Sequence, residues 1–296
     1  MAHAPSRPLR LGTRGSPLAL AQAHMVAAAL RASHGWDESA VEIVPITTSG
    51  DLIQDRPLAE VGGKALWTKE LDRCLVEGRT DLSVHSMKDV ETIRPEAFVV
   101  AAMLERADPR DRLVGAESLA ALPPGARVGT SSPRRRAQLL ARRPDLAIVT
   151  LRGNVQTRLA KLERGEADAT LLAAAGLDRI GLGGVGTVLD ELIPAPAQGA
   201  VGVEVLAGND RVREWLEAVD HRSTHRCVGA ERAFLAALGG DCRSAVAAHA
   251  SNSRLEAEIL SPDGAEVQAG DGDDPAELAR RLLARASPAL RAMFAR

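Results

Sequence analysis

The segment SVHSMKDV, residues 83 to 90, ends an apolar run with His85, Ser86, Lys88 and Asp89 close together. A carboxylate at a strand end can stabilise a cation, or move a proton where its surroundings raise its pKa. If the strand continues that far, alternation puts Ser86 and Lys88 on one side, and His85, Met87 and Asp89 on the other. Read alone, the segment is a solvated turn with a Lys–Asp ion pair. Arginines recur at comparable points. Arg152 stands at the tip of a strand in LRGNVQTRL, Arg158 follows inside the next helix, and Arg179 falls at a similar place in AAAGLDRIG. Each alone reads as a surface residue, but strand tips in open α/β sheets converge on one cleft. Guanidinium grips carboxylate in bidentate geometry that Lys cannot copy, so such a set suits a ligand rich in carboxylates. A third feature is Cys242 in LGGDCRSAVAAHA, a thiol after two glycines and beside Arg243, without an apolar sheath. An exposed thiol near a cation can be nucleophilic; read alone, it is a passive loop residue.

The elements that must position these residues follow an α/β pattern. Short apolar runs alternate with helical periodicity over the first two-thirds of the chain, which predicts largely parallel sheets faced by helices. LRLGT, VEIVPITT, DLSVHS, FVVAAML, DRLVG, ARVGT, AIVTL and DATLLAAA read as strands. Two junctions, LGTRGSPLALAQ and VGTSSPRRRAQL, share the run strand, Gly-Thr, Ser-Pro, helix. Each reads as a capped helix start and a plausible anion site, with Arg14 beside Ser16 in one, and Arg134 and Arg135 beside Ser132 in the other. They predict two equivalent α/β units. QGAVGVEV reads as a strand returning to the first. From about residue 220 a helix, short alternating strands, a Gly/Asp turn region at DGAEVQAGDGDD and a last helix from Pro275 predict a small α+β domain. The predicted boundaries are 1–104 with 199–219, then 105–198, then 220–296. GGKALWTKELD reads as a glycine-hinged lid carrying Lys64, with inward packing of Trp67 as the rival reading.

Composition narrows the function classes. The 296 residues are 45% hydrophobic but 2% aromatic, so the core is Ala, Leu and Val, and stacking platforms for nucleic-acid bases are nearly absent despite the RRR run at 134–136. Only four of the basic residues are Lys, at 64, 69, 88 and 161, and three of these cluster. No apolar run is long enough to span a membrane, and the N-terminus lacks a secretory core, so a cytoplasmic protein is expected. Three Cys without paired spacing form no disulfide framework. His221, His225 and Cys227 lack a second cluster to complete a metal site, and no metal is expected.

Taken in order, LGTRGSPLALAQ, GGKALWTKELD, VHSMKDV, VGTSSPRRRAQ, LRGNVQTRL, AAAGLDRIG, PAQGAVGVE and GGDC resemble the porphobilinogen deaminase (hydroxymethylbilane synthase) family, from about residue 9 to at least residue 250. The resemblance implies two domains of the periplasmic-binding-protein type (type II) flanking a cleft, and a third carrying a cofactor cysteine. It implies a transferase that condenses porphobilinogen head to tail, with loss of ammonia, into a linear tetrapyrrole on a dipyrromethane primer. A thioether to one cysteine, here Cys242, holds the primer. In that chemistry porphobilinogen becomes a cationic azafulvene, which the free α-carbon of the bound chain attacks.

By the same resemblance Asp89 is catalytic and also meets the cofactor. Lys88, Thr130, Ser132, Arg134 and Arg135 hold the cofactor. Arg14, Ser16, Arg152, Arg158, Arg179 and Lys64 meet substrate or the growing chain. Glu91 stands where the family commonly has Pro, which implies a looser turn after the catalytic strand, and Ala245 replaces a common Pro beyond Cys242. A monomer without nucleic-acid or membrane partners is expected. The rival reading is an anion-binding module on the same paired fold without catalysis.

Overall fold

Buried Leu9 and Leu11 flank half-buried Arg10 in the first strand, β1 (Leu9–Arg14). The structure, a computed structural model, describes residues 5–48, 68–241, 243–252 and 254–294. Lys64 and Trp67 of the expected lid, and Cys242, lie outside the described residues. Helix α1 (Pro17–His34) starts as the sequence predicts. The Ala19 N–H donates to Ser16 Oγ at 3.3 Å, Pro17 takes the first helical position, and Gly35 closes the helix at φ 68°. There follow β2 (Val41–Ile46), α2 (Lys69–Val76), β3 (Leu82–Ser86) and β4 (Phe98–Met103). QGAVGVEV does return to this sheet, as β10 (Val201–Leu206), giving the order β2-β1-β3-β10-β4. β1 runs parallel to β2 and β3, and β10 antiparallel to β3 and β4. Leu11, Val26, Leu30, Leu82 and Val203 fill the core between sheet and α1, joined by Trp215 of α6 (Asp210–Glu217).

The second sheet repeats this plan. β5 (Asp111–Val114), β6 (Arg127–Gly129), β7 (Ala147–Val149), β8 (Ala169–Ala173) and β9 (Thr187–Leu189) lie in the order β7-β6-β8-β5-β9. β6 is parallel to β7 and β8, and β5 antiparallel to β8 and β9. In both sheets a parallel trio is followed by one antiparallel strand and an outer strand. The antiparallel strand enters at different points in the chain order: β5 precedes its trio, and β10 follows the other. The two Ser-Pro corners are therefore equivalent, each joining the central parallel strand to its helix. α3 (Pro133–Arg142), α4 (Val155–Glu163) and α5 (Ala174–Arg179) follow β6, β7 and β8.

The remaining sheet, β11 (Val246–Ser251), β12 (Arg254–Leu260) and β13 (Val267–Gly272), is antiparallel throughout. It buries Val246, Leu255 and Ile259 against Phe234 of α7 (Arg222–Ala237) and Leu278 and Leu282 of α8 (Pro275–Arg285). β13 corrects the expectation of a turn region at DGAEVQAGDGDD. Backbone pairing with β12 asks little of side chains at a sheet edge, and Gly270 lets Leu278 and Leu282 approach closely. The paired α/β sheets and the small C-terminal α+β part are the fold class expected. The described chain divides into two compact units, 5–48 with 68–107 and 200–226, and 108–199 with 227–294.

Candidate active site

In the first unit the parallel trio brings Arg14 and Ser16, at the end of β1, to the same sheet edge as Ser86, Lys88 and Asp89 after β3. The condition for strand alternation through SVHSMKDV is not met. The strand stops at Ser86, and Met87–Asp89 turn as a 3-10 helix. The turn is fixed from below. The Met87 N–H donates to the Ala200 carbonyl at 3.1 Å, Gln22 and Ser86 share a side-chain hydrogen bond, and buried Met87 lies against Gly202, where any Cβ would overlap its sulfur. Lys88 and Asp89 are half-buried, and the Asp89 carboxylate has no hydrogen bond or ion pair among the described residues.

Glu91 does not loosen this turn. Its Oε1 accepts from Thr68 Oγ1 at 2.8 Å and its Oε2 from Arg94 Nη1 at 2.7 Å. Arg94 in turn donates to Asp72 at 2.6 Å and to both oxygens of Glu204, at 2.8 and 2.9 Å, while His85 Nε2 lies 3.4 Å from Glu204. A carboxylate inside the buried strand GAVGVEV has to be paired, and that signal for Glu204 was present in the sequence. Burial pushes the Glu204 carboxyl up, but His85 and Arg94 outweigh it and hold it at about 2, below its ordinary 4.5. A depressed folded value means that the Glu204 contribution is complete above pH about 4.5 and is lost as pH falls to about 2. Glu204→Gln should therefore lower stability at pH 7 by about 1–3 kcal/mol and flatten the acid-induced loss across that window. Urea midpoints taken at pH 7, 4.5 and 3 would measure this, and parallel losses in both proteins would count against it.

In the second unit the trio β6, β7 and β8 carries the other candidates to one edge. Ser132 caps α3, accepting from the Arg135 N–H at 3.4 Å, and Thr130 Oγ1 accepts from the Ser132 N–H at 3.1 Å. After β7, Gly153 takes φ 117°, where a Cβ would also strike Thr157, and so turns the chain from Arg152 into α4, capped by Asn154. Arg158 folds back: Nε donates to the Gly153 carbonyl at 2.9 Å and Nη2 reaches Ser131 Oγ at 3.4 Å. The structure thus joins Arg158 to both neighbouring loops, although its place inside a helix did not require it. Arg179 Nη2 donates to the Gly199 carbonyl at 2.6 Å, and burial draws its guanidinium below the ordinary range while Asp178 opposes this.

Arg134 and Arg135 are buried rather than open, and both bind Asp111, which sequence reasoning took only as the start of a strand. Among the described residues, Arg134 Nε, Arg152 Nη1 and Arg179 Nε are buried without a hydrogen-bond partner, as are Arg10 Nε and Arg112 Nε outside the candidate set. Unpartnered buried donors of this kind fit a ligand bearing several carboxylates.

Around Cys242, Arg243 donates to Asp241 through Nε at 3.0 Å and Nη2 at 2.6 Å, so its charge is shared with a carboxylate. The Leu260 N–H donates to the Ala245 carbonyl, and Ala245 packs with Ala137 and Leu260. His221 and His225 engage Thr224 and Asp220, each at 2.8 Å, and Cys227 packs against the C-terminal core.

The chain is similar to known proteins over most of its length. The family model described as porphobilinogen deaminase, dipyromethane cofactor binding domain, matches residues 9–214, and that for the porphobilinogen deaminase C-terminal domain matches residues 225–286. A porphobilinogen deaminase of Sphingopyxis alaskensis is 59% identical, covering 98% of each chain. One from Paracoccus denitrificans is 51% identical over 92% of this chain and 90% of the relative. Among solved structures, the second substrate binding domain of a putative amino acid ABC transporter from Streptococcus pneumoniae covers 79% of this chain and 95% of its own, at 13% identity and TM-score 0.44.

Proposed function

The chain belongs to the porphobilinogen deaminase family, and from that premise we propose how its residues divide the work. Members of this family are hydroxymethylbilane synthases: porphobilinogen units are joined head to tail, each with loss of ammonia, and water releases the linear tetrapyrrole. The dipyrromethane cofactor supplies, when bound, the nucleophilic pyrrole carbon from which the chain is extended.

Cys242 is the attachment point, through a thioether. Asp89 is the catalytic acid residue: its carboxylate accepts from pyrrole N–H groups and stabilises the positive charge that develops as ammonia departs. An uncommitted carboxylate on a rigid turn suits this, because no internal partner has to be displaced. Lys88, Thr130, Ser132, Arg134 and Arg135 hold the carboxylates of the cofactor, with Asp89 at its N–H groups. Arg14, Ser16, Arg152, Arg158, Arg179 and Lys64 receive the acetate and propionate groups that every added unit brings. The unpartnered nitrogens on Arg134, Arg152 and Arg179 are the observation that carries this assignment. The division into 1–104 with 199–219, 105–198 and 220–296 belongs to the same proposal, as do a monomeric state and a cytoplasmic location. Among the described residues no helix is long and apolar enough to cross a membrane.

The intact mass of the purified protein should exceed that of its polypeptide by one covalent dipyrromethane, and porphobilinogen should be converted to a linear tetrapyrrole with release of ammonia. A protein with only its polypeptide mass that binds porphobilinogen unchanged would instead be an anion-binding module.

A further inference from the structure

We propose that Asp111 is a positioning residue that sets the geometry of Arg134 and Arg135 for carboxylate binding, and that the strained Ala197–Gln198 segment holds Asp111 in place. The proposal rests on the preceding assignment of those two arginines to the cofactor.

Adjacent residues on a helix point about 100° apart, so consecutive arginines do not by themselves face one ligand. Here one carboxylate draws them together. Asp111 Oδ2 accepts from Arg134 Nη1 at 2.5 Å and Arg135 Nε at 3.2 Å, and Oδ1 accepts from Arg135 Nη2 at 2.7 Å. A fourth bond, from Gln198 Nε2 at 2.7 Å, saturates the carboxylate. Gln198 also donates to the Pro109 carbonyl at 2.6 Å, and Gln138 Oε1 accepts from Arg134 Nη1 at 3.1 Å. Asp111, Arg134, Arg135 and Gln198 are each less than 7% exposed, so these bonds are made away from solvent competition.

Gln198 is itself fixed at some cost. Ala197 before it sits at φ 63°, a strained conformation for a residue with a Cβ, and its N–H donates to buried Glu231 Oε2 at 2.6 Å. The other Glu231 oxygen accepts from the Ala250 N–H at 2.7 Å, in β11.

Charge gives this arrangement its direction. Two buried guanidiniums, Arg134 and Arg135, share the single carboxylate of Asp111, while Arg142 is paired with Glu258. Arg134 Nε is buried without a partner. Burial would raise the Asp111 carboxyl, but the two arginines hold it far below the usual carboxylate range, so it stays ionised as their anchor. Asp111 thus fixes both guanidiniums without cancelling their charge, which leaves them able to accept one carboxylate from a ligand.

The test compares Asp111→Asn and Asp111→Glu with wild type by intact mass, circular dichroism and steady-state kinetics. We expect D111N to fold, with its cofactor-loaded fraction reduced about tenfold or more and kcat/KM lower on the order of 10²-fold, the scale for misplaced binding groups. D111E should restore part of the loading, a rescue that loss of packing alone would not give. D111N loading as fully as wild type would overturn the proposal. Should D111N fail to fold, Gln198→Leu keeps both ion pairs while freeing the carboxylate. It should lower loading several-fold, and unchanged loading would again overturn the proposal. Wild type without the added mass would instead remove the underlying assignment of function.

Discussion

Replacing Cys242 by Ser is expected to remove the covalent mass excess and to lower tetrapyrrole formation by on the order of 10³-fold or more, as loss of a covalent nucleophile does elsewhere. A thioether forms from a thiolate, and a serine hydroxyl has no comparable ionised population near neutral pH. The other two thiols are poor substitutes. Cys74 is 1% exposed in α2, and burial pushes its thiol up, away from the reactive form. Cys227 lies on α7, packed against the C-terminal core. Cys74→Ser and Cys227→Ser should therefore keep the mass excess. Arg243, the cation next to Cys242 in sequence, is bound to Asp241. Asp241→Asn would release it, so a faster rate of cofactor attachment in D241N would show the pair restraining the thiol. Intact mass of the three cysteine variants settles the attachment point, and a mass excess that survives in C242S would place it elsewhere.

What was legible in the sequence was local. Ser16 with Pro17 and Ser132 with Pro133 mark helix starts because capping uses atoms within three residues. The strand-tip position of Arg152 follows from the change of hydrophobic period at its strand–helix junction, whereas Arg179 closes α5 instead of tipping β8, because the helix begins directly at Ala174. The return of β10 was legible from its apolar run, though Glu204 within it had to await Arg94, distant in sequence. What the sequence hid was non-local or cooperative. Asp111 meets Arg134 and Arg135 only because antiparallel β5 sits beside β8. The 3-10 turn at Met87–Asp89 depends on packing against Gly202, and the tie from Glu91 to Thr68 depends on the start of the preceding helix α2. Reading Glu91 as a mere loss of Pro therefore mistook a new restraint for a missing one. Arg158 was open on sequence grounds for the same reason: its two partners belong to separate loops.

Asp89→Ala should lower kcat by on the order of 10²–10³-fold, the range for removing a preorganised group that stabilises transition-state charge. Its effect on folding should be small, within about 0.5 kcal/mol, since the carboxylate has no partner among the described residues. The turn beneath it is held by Met87, Ser86 and Gln22, none of which the substitution touches. This separates it from Glu204→Gln, which acts on stability through a buried network. Asp89→Asn sharpens the reading. The amide keeps the shape and one acceptor oxygen but not the charge, so if charge stabilisation is the role, Asn should be nearly as slow as Ala. If the carboxylate only orients pyrrole N–H groups, Asn should recover much of the rate. Kinetics should be taken on the fraction whose mass shows bound cofactor, because Asp89 is also assigned to the cofactor and its loss should lower loading. A loaded Asp89→Ala protein that turns over like wild type would move the catalytic role to another residue on the same sheet edge, with half-buried Lys88 the nearest in sequence.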